Sequence, residues 1–217
     1  ALETLPSEMF KGAAAKLSNL SSMFWGCTSL KSVPDGLFGF ITVRNANFLN
    51  CFNACTSLKS VGADVFPSTV SSTGLNSTFS GCTSLTDISG KVFSKCGSVT
   101  TLMRTFYCCT ALETLPSDLF AGMVKVTKFD QTFSGCTSLE SIPEDLFSKN
   151  TVVNSFTKMF YECASIKSIP AGLFANNKSA KDFSYMFYKT SLTSVPEDLF
   201  KACTAAQNFS YLFSGCT

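Results

Sequence analysis

The stretch Leu139–Cys163 reads LESIPEDLFSKNTVVNSFTKMFYEC, and related versions of it recur along the chain every 26 to 28 residues. Each version opens with a short aliphatic segment that is usually followed by Pro. Its first half carries a Phe such as Phe147, and its second half carries another, Phe160. One unit of this length cannot bury its apolar side chains alone, whereas stacked units bury a continuous core. The sequence therefore predicts that residues 1–217 form a single solenoid of eight coils.

The Phe residues set the register of the repeat. Of the 22 Phe, all but Phe40 fall into three columns with one position per unit. The units begin near residues 2, 30, 58, 85, 112, 139, 166 and 192. The first-half column contains Phe10, Phe38, Phe66, Phe93, Phe120, Phe147, Phe174 and Phe200. The second-half column contains Phe24, Phe52, Phe79, Phe106, Phe133, Phe160, Phe187 and Phe213. The third column contains Phe48, Phe129, Phe156, Phe183 and Phe209, with Leu in the other units. We expect Phe106, Phe133 and Phe160 to stack on one another in the core.

The aliphatic segment is the predicted strand of each unit, because it is short, contains β-branched residues and ends at Pro. Equivalent strands of neighbouring coils should pair in parallel at a spacing of about 4.8 Å. The predicted sheet comprises residues 2–5, 30–33, 58–61, 85–88, 112–115, 139–142, 166–169 and 192–195. Acidic residues after Pro, such as Glu144 and Asp145, favour the first turn of a short helix or a 3₁₀ turn. The predicted fold class is therefore α+β, a right-handed coil with a parallel sheet on one face and short strands or helical turns on the other.

The pattern Leu-x-Ser-Ile-Pro…Leu-Phe…Val-x-x-Phe-x-x-Met-Phe-x-x-Cys in Leu139–Cys163 resembles the BspA-like leucine-rich repeats of bacterial surface proteins. Its second half is also similar to the related repeats written VTNMSxMF. The resemblance covers all eight units and implies a leucine-rich-repeat-like solenoid. It also implies a secreted or cell-surface protein, since members of that family are often adhesins of bacteria and some protozoan parasites. The chain departs from the shorter relatives in its period of about 27 residues.

Seven of the eleven Cys occupy one column, three residues after the second-half Phe. They are Cys27, Cys55, Cys82, Cys109, Cys136, Cys163 and Cys216. Coil stacking would bring neighbouring Cα atoms to about 5 Å, within disulfide range, but parallel Cβ vectors are poor disulfide geometry. We therefore expect a reduced, buried structural ladder, because free Cys is a small and commonly buried apolar residue. The alternative is one or two disulfides, with Cys51, Cys96, Cys108 and Cys203 as candidates.

The composition argues against catalysis. The chain has no His, which removes the commonest general base and metal ligand. Cys51-x3-Cys55 and the Cys108-Cys109 pair are the only close thiols, with no second pair at zinc-site spacing, and no phosphate-binding loop is present. A net charge of +2 disfavours nucleic acid, and no apolar run reaches the roughly 18 residues of a membrane span. The sequence thus predicts no enzyme activity, no cofactor, no metal, no nucleic-acid partner and no membrane insertion.

The Tyr residues and the single Trp avoid the Phe columns. They occupy two other columns, directly after the second-half Phe or two residues before it, where the other units carry polar residues. These positions should face solvent, and exposed Tyr and Trp favour interfaces because they offer large contact area at low entropic cost. The predicted binding surface comprises Trp25, Tyr107, Tyr161, Tyr185, Tyr188 and Tyr211. The alternative is that these side chains only cover the edges of the coils.

Two functions suit such a solenoid. The first is a cell-surface or secreted module that binds a protein or glycan ligand and mediates adhesion, and the second is a passive spacer or assembly unit of a longer surface array. The grouping of Tyr toward the C-terminal half favours binding, because a spacer should have uniform faces. The chain opens and closes at the same point of the repeat, which predicts end-to-end self-association or flanking domains of a longer chain. Bare terminal coils would expose Leu2, Leu5, Phe10, Phe209 and Phe213.

Overall fold

Stacked coils joined by parallel backbone hydrogen bonds make up the computed structural model, which describes all of residues 1–217. Three strands are present: β1 (Ser32–Val33), β2 (Ser60–Val61) and β3 (Asp87–Ile88). They form one parallel sheet in the order β1-β2-β3, with Val33 directly beside Val61. In each strand the first residue is at least partly exposed and the second is buried, so one face of the sheet lies on the core.

The sheet is shorter than the sequence predicts, and Pro accounts for the difference. The amides of Gly62 and Ser89 each donate to a carbonyl oxygen of the preceding strand at 2.9 Å. Most other units have Pro at this position, and Pro has no N–H to donate. Strands therefore form around the two units that replace Pro. Elsewhere the equivalent segments of neighbouring coils make at most one backbone hydrogen bond, such as Glu140 N to Glu113 O at 3.0 Å.

No helix is present, so the α part of the predicted α+β class is wrong. The acidic residues after Pro lie in short turns instead, in which the amide of Leu146 donates to the carbonyl of Pro143 at 3.2 Å. Leu146 and Phe147 are neighbours in sequence and both point into the core. A coil of about 27 residues that wraps around such side chains changes direction every few residues. This leaves no straight segment long enough for a helix.

The second half of each unit forms the most regular element, a run of consecutive β-turns that we call the tandem-turn face. It comprises residues 20–27, 48–55, 75–82, 102–109, 129–136, 156–163, 183–190 and 209–216. In 129–136, alternate amides bond carbonyls three residues earlier at 3.1–3.3 Å, as in Thr132 N to Phe129 O. The intervening amides bond the next coil at 2.7–3.0 Å, as in Phe133 N to Met159 O. All backbone donors from 131 to 136 are therefore used, half for closing turns and half for joining coils.

Phe side chains fill the core as predicted. Phe106, Phe133 and Phe160 are fully buried, and their rings stack with centroids 5.4 and 5.8 Å apart, which confirms the prediction for this column. In six of seven steps along the stack, second-half rings lie closer together than first-half rings. Ring packing is therefore tighter beside the tandem-turn face than on the opposite side.

The first coil is better covered than the sequence predicts. Leu5 and Phe10 were expected to be bare, but both are buried. The ring of Phe10 stacks on Phe38 in the second coil at 5.3 Å, which removes most of it from solvent. Leu2 and Phe209 are exposed, as expected.

Candidate functional site

Four of the six predicted contact residues form one cluster on the tandem-turn face. Tyr161 and Tyr188 stack with ring centroids 4.8 Å apart, and Tyr185 and Tyr211 stack at 4.6 Å. The two stacks touch, because Tyr185 lies 5.8 Å from Tyr188 and 6.5 Å from Tyr161. The cluster arises because coil stacking places Tyr residues at equivalent positions of consecutive units side by side.

Tyr107 and Trp25 lie outside this cluster. The coil between Tyr107 and Tyr161 carries Ser134 in the same column, so the two rings are separated by two coil spacings, about 10 Å. Tyr107 instead lies under Arg104, whose guanidinium carbon is 5.7 Å from the ring centroid. Trp25 is 61% exposed in the first coil. The structure thus divides the predicted surface into a four-Tyr cluster and two separate aromatic side chains.

Two lysines that the sequence prediction did not include lie against the Tyr rings. The Nζ of Lys158 is 5.0 Å from the ring centroid of Tyr185 and 5.7 Å from that of Tyr161. The Nζ of Lys189 is 5.3 Å from the ring centroid of Tyr188. These are cation–π distances, so the lysines are attracted to the ring faces that the stacks leave open.

Glu162 completes the cluster. Its Oε1 lies 3.3 Å from the Nζ of Lys189, and this hydrogen bond raises the pKa of Lys189. The pKa of Tyr161 is also raised, by partial burial and by the charge of Glu162. The three side chains therefore influence one another across two adjacent coils.

The backbone is strained at the same residues. Each run of the tandem-turn face has two positions with positive φ. At the second of these, four units have Gly, the residue that adopts this conformation easily: Gly26, Gly81, Gly135 and Gly215. The other four units have Ala54, Cys108, Glu162 and Lys189, with φ between 53° and 58°. Lys158, Tyr185 and Tyr211 occupy the first position, with φ of 55° to 57°. The left-handed conformation costs a non-Gly residue about 1–2 kcal/mol, and such strain concentrates at functional sites.

A polar depression of about 530 Å³ adjoins the cluster. Glu162 and Lys189 line it together with Thr137, Thr190 and Gly215. Thr190 stands where the other units carry a column Cys, next to the one-residue shortening of its unit. Two departures from the repeat, the Tyr cluster and this depression, therefore lie side by side.

The column Cys lie beneath the tandem-turn face. Six of the seven column Cys repeat one contact, exemplified by Cys136, whose thiol donates to the carbonyl oxygen of Phe106 with Sγ 3.2 Å from O. All eleven Cys are unpaired in the structure. Burial raises the pKa of the Cys55 thiol to about 12, and burial raises that of Cys163 well above its ordinary value. The ladder thus combines coil-to-coil hydrogen bonds with thiols that resist ionisation.

Buried polar side chains add further coil-to-coil bonds that the sequence prediction missed. The hydroxyl of Thr132 donates to Leu102 O at 3.0 Å and to Phe129 O at 2.8 Å. Thr78 and Thr105 do the same in their units. Their recurrence at one repeat position was the signal in the sequence, and it points to a structural role.

The structure has no group of three or more His, Cys, Asp or Glu side chains that could hold a metal ion. It also contains no helix that could span a membrane. The candidate site is the part of the tandem-turn face where Tyr161, Tyr185, Tyr188 and Tyr211 lie together with Lys158, Glu162 and Lys189.

The fold is that of a leucine-rich-repeat solenoid. A chain of the Drosophila Toll–Spätzle complex superposes with a TM-score of 0.55 at 16% identity, over 94% of this chain and 25% of that chain. The chain therefore spans about a quarter of the length of that match. Leucine-rich repeat proteins of T. pallidum and Bacteroides ovatus also match, with TM-scores of 0.38 and 0.28 and identities of 16% and 20%. The T. pallidum match covers 93% of this chain and 80% of that one, and the B. ovatus match covers 86% and 68%.

Within this class, residues 73–200 match the family described as Mycoplasma protein of unknown function, DUF285. The match covers more than half of the chain, and the chain belongs to this family. No curated protein sequence matches it.

Proposed function

We propose that this chain is a protein-interaction module whose contact surface is a ridge on the tandem-turn face. We call this surface the Tyr/Lys ridge, and it comprises Lys158, Tyr161, Glu162, Tyr185, Tyr188, Lys189 and Tyr211. The observation that carries the proposal is that four Tyr from three consecutive units form one connected cluster, with the Nζ atoms of Lys158 and Lys189 against their rings. Most other units carry polar residues in these columns, so packing of the core does not account for the aromatic side chains.

The chemistry of the ridge suits contact with protein. Tyr presents a large, rigid and amphipathic surface, so little side-chain entropy is lost on binding. Stacking holds the four rings in place before a partner arrives, which lowers the cost of association further. The matched Drosophila chain was solved in a complex with a partner, which supports binding as a use of this fold.

We also propose that the module acts at a cell surface or after secretion, in adhesion, as the resemblance to BspA-like repeats implies. The alternative function is a passive spacer within a longer array. The ridge favours binding, because its four Tyr lie in three consecutive units, whereas the same columns in the first three units carry Ser and Asn apart from Trp25. Catalysis has no candidate residues in this proposal.

The test is a binding screen against arrays of extracellular proteins and glycans. The informative variant is Tyr185→Ser/Tyr188→Ser, because Ser77 and Ser80 occupy the equivalent positions of the third unit. Ser77 also has a positive φ of 53°, so the backbone tolerates this residue there. We expect protein partners of the unmodified chain to be lost in the variant.

The matched control is Asn50→Ser/Asn53→Ser, which makes an equivalent change at the same columns of the second unit. It should keep every partner. If the unmodified chain binds nothing, or if both variants keep the same partners, the ridge is not a binding surface and the spacer function is favoured.

A further inference from the structure

We infer that the partner of the Tyr/Lys ridge is an acidic, extended segment of another protein. This inference rests on the proposed binding function and adds the chemical class of the ligand. Three properties of the ridge and its surroundings lead to it: the excess of basic over acidic residues, the cations that are left without a carboxylate, and the parts of the rings that remain open.

Basic residues outnumber acidic ones on the outward side of this face. Each tandem-turn run has four columns that lie mostly outside the core, its second, third, sixth and seventh positions. Across all eight units these columns contain three basic residues, Arg104, Lys158 and Lys189, and two acidic ones, Asp130 and Glu162. All three cations lie in the half of the face that carries most of the Tyr residues.

Two of these cations have no carboxylate partner. Arg104 donates from Nε to Oε1 of Gln131 at 2.7 Å, and Lys158 makes no ion pair. The carboxylates that flank the ridge are already engaged. Asp130 accepts from the hydroxyl of Ser155 at 2.5 Å, and Asp182 accepts from the amide of Ser184 at 2.8 Å and from the side chain of Asn208 at 3.2 Å. A carboxylate from outside can therefore pair with Arg104 and Lys158 without displacing an internal contact.

The open parts of the rings also favour an anion. The faces of Tyr161, Tyr185 and Tyr188 are largely covered, because each ring stacks on another Tyr and lies beneath a lysine, whereas Tyr211 is 59% exposed and stacks on one side only. What remains open are ring edges, which carry the positive part of the aromatic quadrupole, and phenol hydroxyls, which can donate hydrogen bonds. Covered faces disfavour sugar rings and nucleobases, which bind by stacking. Carboxylates and carbonyl oxygens, in contrast, are suited to the edges and hydroxyls.

The dimensions suit an extended chain. From Lys158 to Tyr211 the Tyr/Lys ridge crosses two coil steps, about 10 Å, and Arg104 lies two further steps away, so that a segment reaching all of them spans about 19 Å, or roughly six extended residues. An acidic residue at alternate positions of such a segment would face the ridge. Membranes fit less well, because a flat bilayer would need cations over a wider area than this single ridge offers.

The experiment is fluorescence anisotropy with the 217-residue chain and four probes. The probes are a labelled 12-residue peptide of alternating Glu and Ala, its counterpart of alternating Lys and Ala, a heparin fragment, and vesicles containing phosphatidylserine. We expect the Glu peptide to bind, with affinity that falls as salt is raised, and the Lys peptide not to bind.

Three variants make the test specific to the ridge. Lys158→Glu should weaken binding of the Glu peptide by up to about fivefold, the effect expected for losing one exposed ion pair. Glu162→Gln should strengthen it, because it removes the one carboxylate of the ridge and releases Lys189. Lys125→Glu, an exposed lysine on a different face, should change it little.

Failure takes several recognisable forms. Equal binding of both peptides, binding of heparin or vesicles alone, no binding of the Glu peptide, or an unchanged affinity in Lys158→Glu overturns the inference. If the Tyr185→Ser/Tyr188→Ser variant still loses protein partners in the array screen, the proposed function stands and only the acidic nature of the partner is wrong.

Discussion

Glu162 accepts a hydrogen bond from Lys189 at 3.3 Å, and the two residues occupy equivalent positions of adjacent coils. Their φ angles are 57° and 53°, in the left-handed region, while the same position is Gly135 in the preceding coil and Gly215 in the following one. The pair thus keeps charged side chains where the backbone favours Gly. If function maintains this pair, stability and binding should respond to its removal in opposite directions.

The first prediction follows from that strain. Glu162→Gly should stabilise the fold by about 1 kcal/mol, because Gly adopts the left-handed conformation without the steric cost of a Cβ. Urea unfolding would measure the change, and the same protein should bind array partners differently from the unmodified chain. Cys108→Gly, at the same position outside the ridge, is the control and should stabilise the fold without altering binding.

The reverse substitution provides an independent check. Gly135→Ala should destabilise the fold, because its φ is +76° and the added Cβ would lie 2.9 Å from Sγ of Cys108. If Glu162→Gly lowers stability, or if Gly135→Ala leaves it unchanged, backbone strain does not distinguish these positions.

The second prediction concerns the limit of the sheet. Ser89→Pro should remove the hydrogen bond from Ser89 N to Val61 O and cost about 1 kcal/mol more than Ser89→Ala, which keeps the amide. Because most units already have Pro here, the backbone should accept the ring, and the lost donor should dominate the effect. Chemical unfolding of the two variants would show it, and equal stabilities would mean that this ladder contributes nothing.

The third prediction concerns the thiols. Cys27, Cys108 and Cys216 are partly exposed, whereas the other eight Cys are buried. In the native protein an aromatic disulfide reagent at pH 8 should react promptly with the three partly exposed thiols and with the rest only after unfolding. Reductant should leave the melting temperature unchanged. Prompt reaction of more than three thiols, or an intact mass that shows oxidised Cys, would contradict the reduced ladder.

The fourth prediction is the pH dependence that these thiols impose. Burial raises the pKa of Cys96 to about 12 and that of Cys203 to about 11, from an ordinary value of 9.0. A raised pKa means that the folded state holds its protons more tightly than the unfolded chain. The contribution to stability is therefore complete below pH 9 and is lost as pH rises from 9 toward 12. Melts between pH 8 and 11 should show this decline, and Cys203→Ala should make it shallower.

The core was predictable from the sequence, whereas the local conformation was not. The 27-residue periodicity predicts the burial of Phe133 and Phe160, because a stacked array repeats its buried positions. The short turns after Pro143 were mistaken for helix starts, because Pro followed by acidic residues is typical of both. The left-handed φ of Tyr185 has no signal of its own. The only hint in the sequence is Gly at the seventh position of four other runs, which indicates a left-handed turn four residues after the position of Tyr185.

The ridge was partly predictable for a related reason. The sequence predicted that Tyr161 and Tyr188 are exposed, because most other units carry polar residues in the same column. The positions of Lys158 and Glu162 against them depend on how coils align across the stack, and a single column does not show this. Contacts between side chains of different columns can be predicted only when the conformation of the tandem turns is known.

The last prediction tests the core on which the ridge rests. Phe133 is fully buried, and its ring lies between those of Phe106 and Phe160 at 5.4 and 5.8 Å. Phe133→Ala should cost about 3–5 kcal/mol, because it opens a cavity in a stack that the hydrogen-bonded coils cannot easily close. Phe40→Ala is the control, since Phe40 is 37% exposed and outside the columns, and its loss should change stability by less than about 1 kcal/mol. Because each coil contacts mainly its neighbours, the Phe133 cavity should increase hydrogen exchange most in the coils around residues 106–160. If hydrogen exchange rises equally along the whole chain, the stack unfolds as one cooperative unit. If the melting temperature of Phe133→Ala equals that of the unmodified chain, the burial of Phe133 is contradicted.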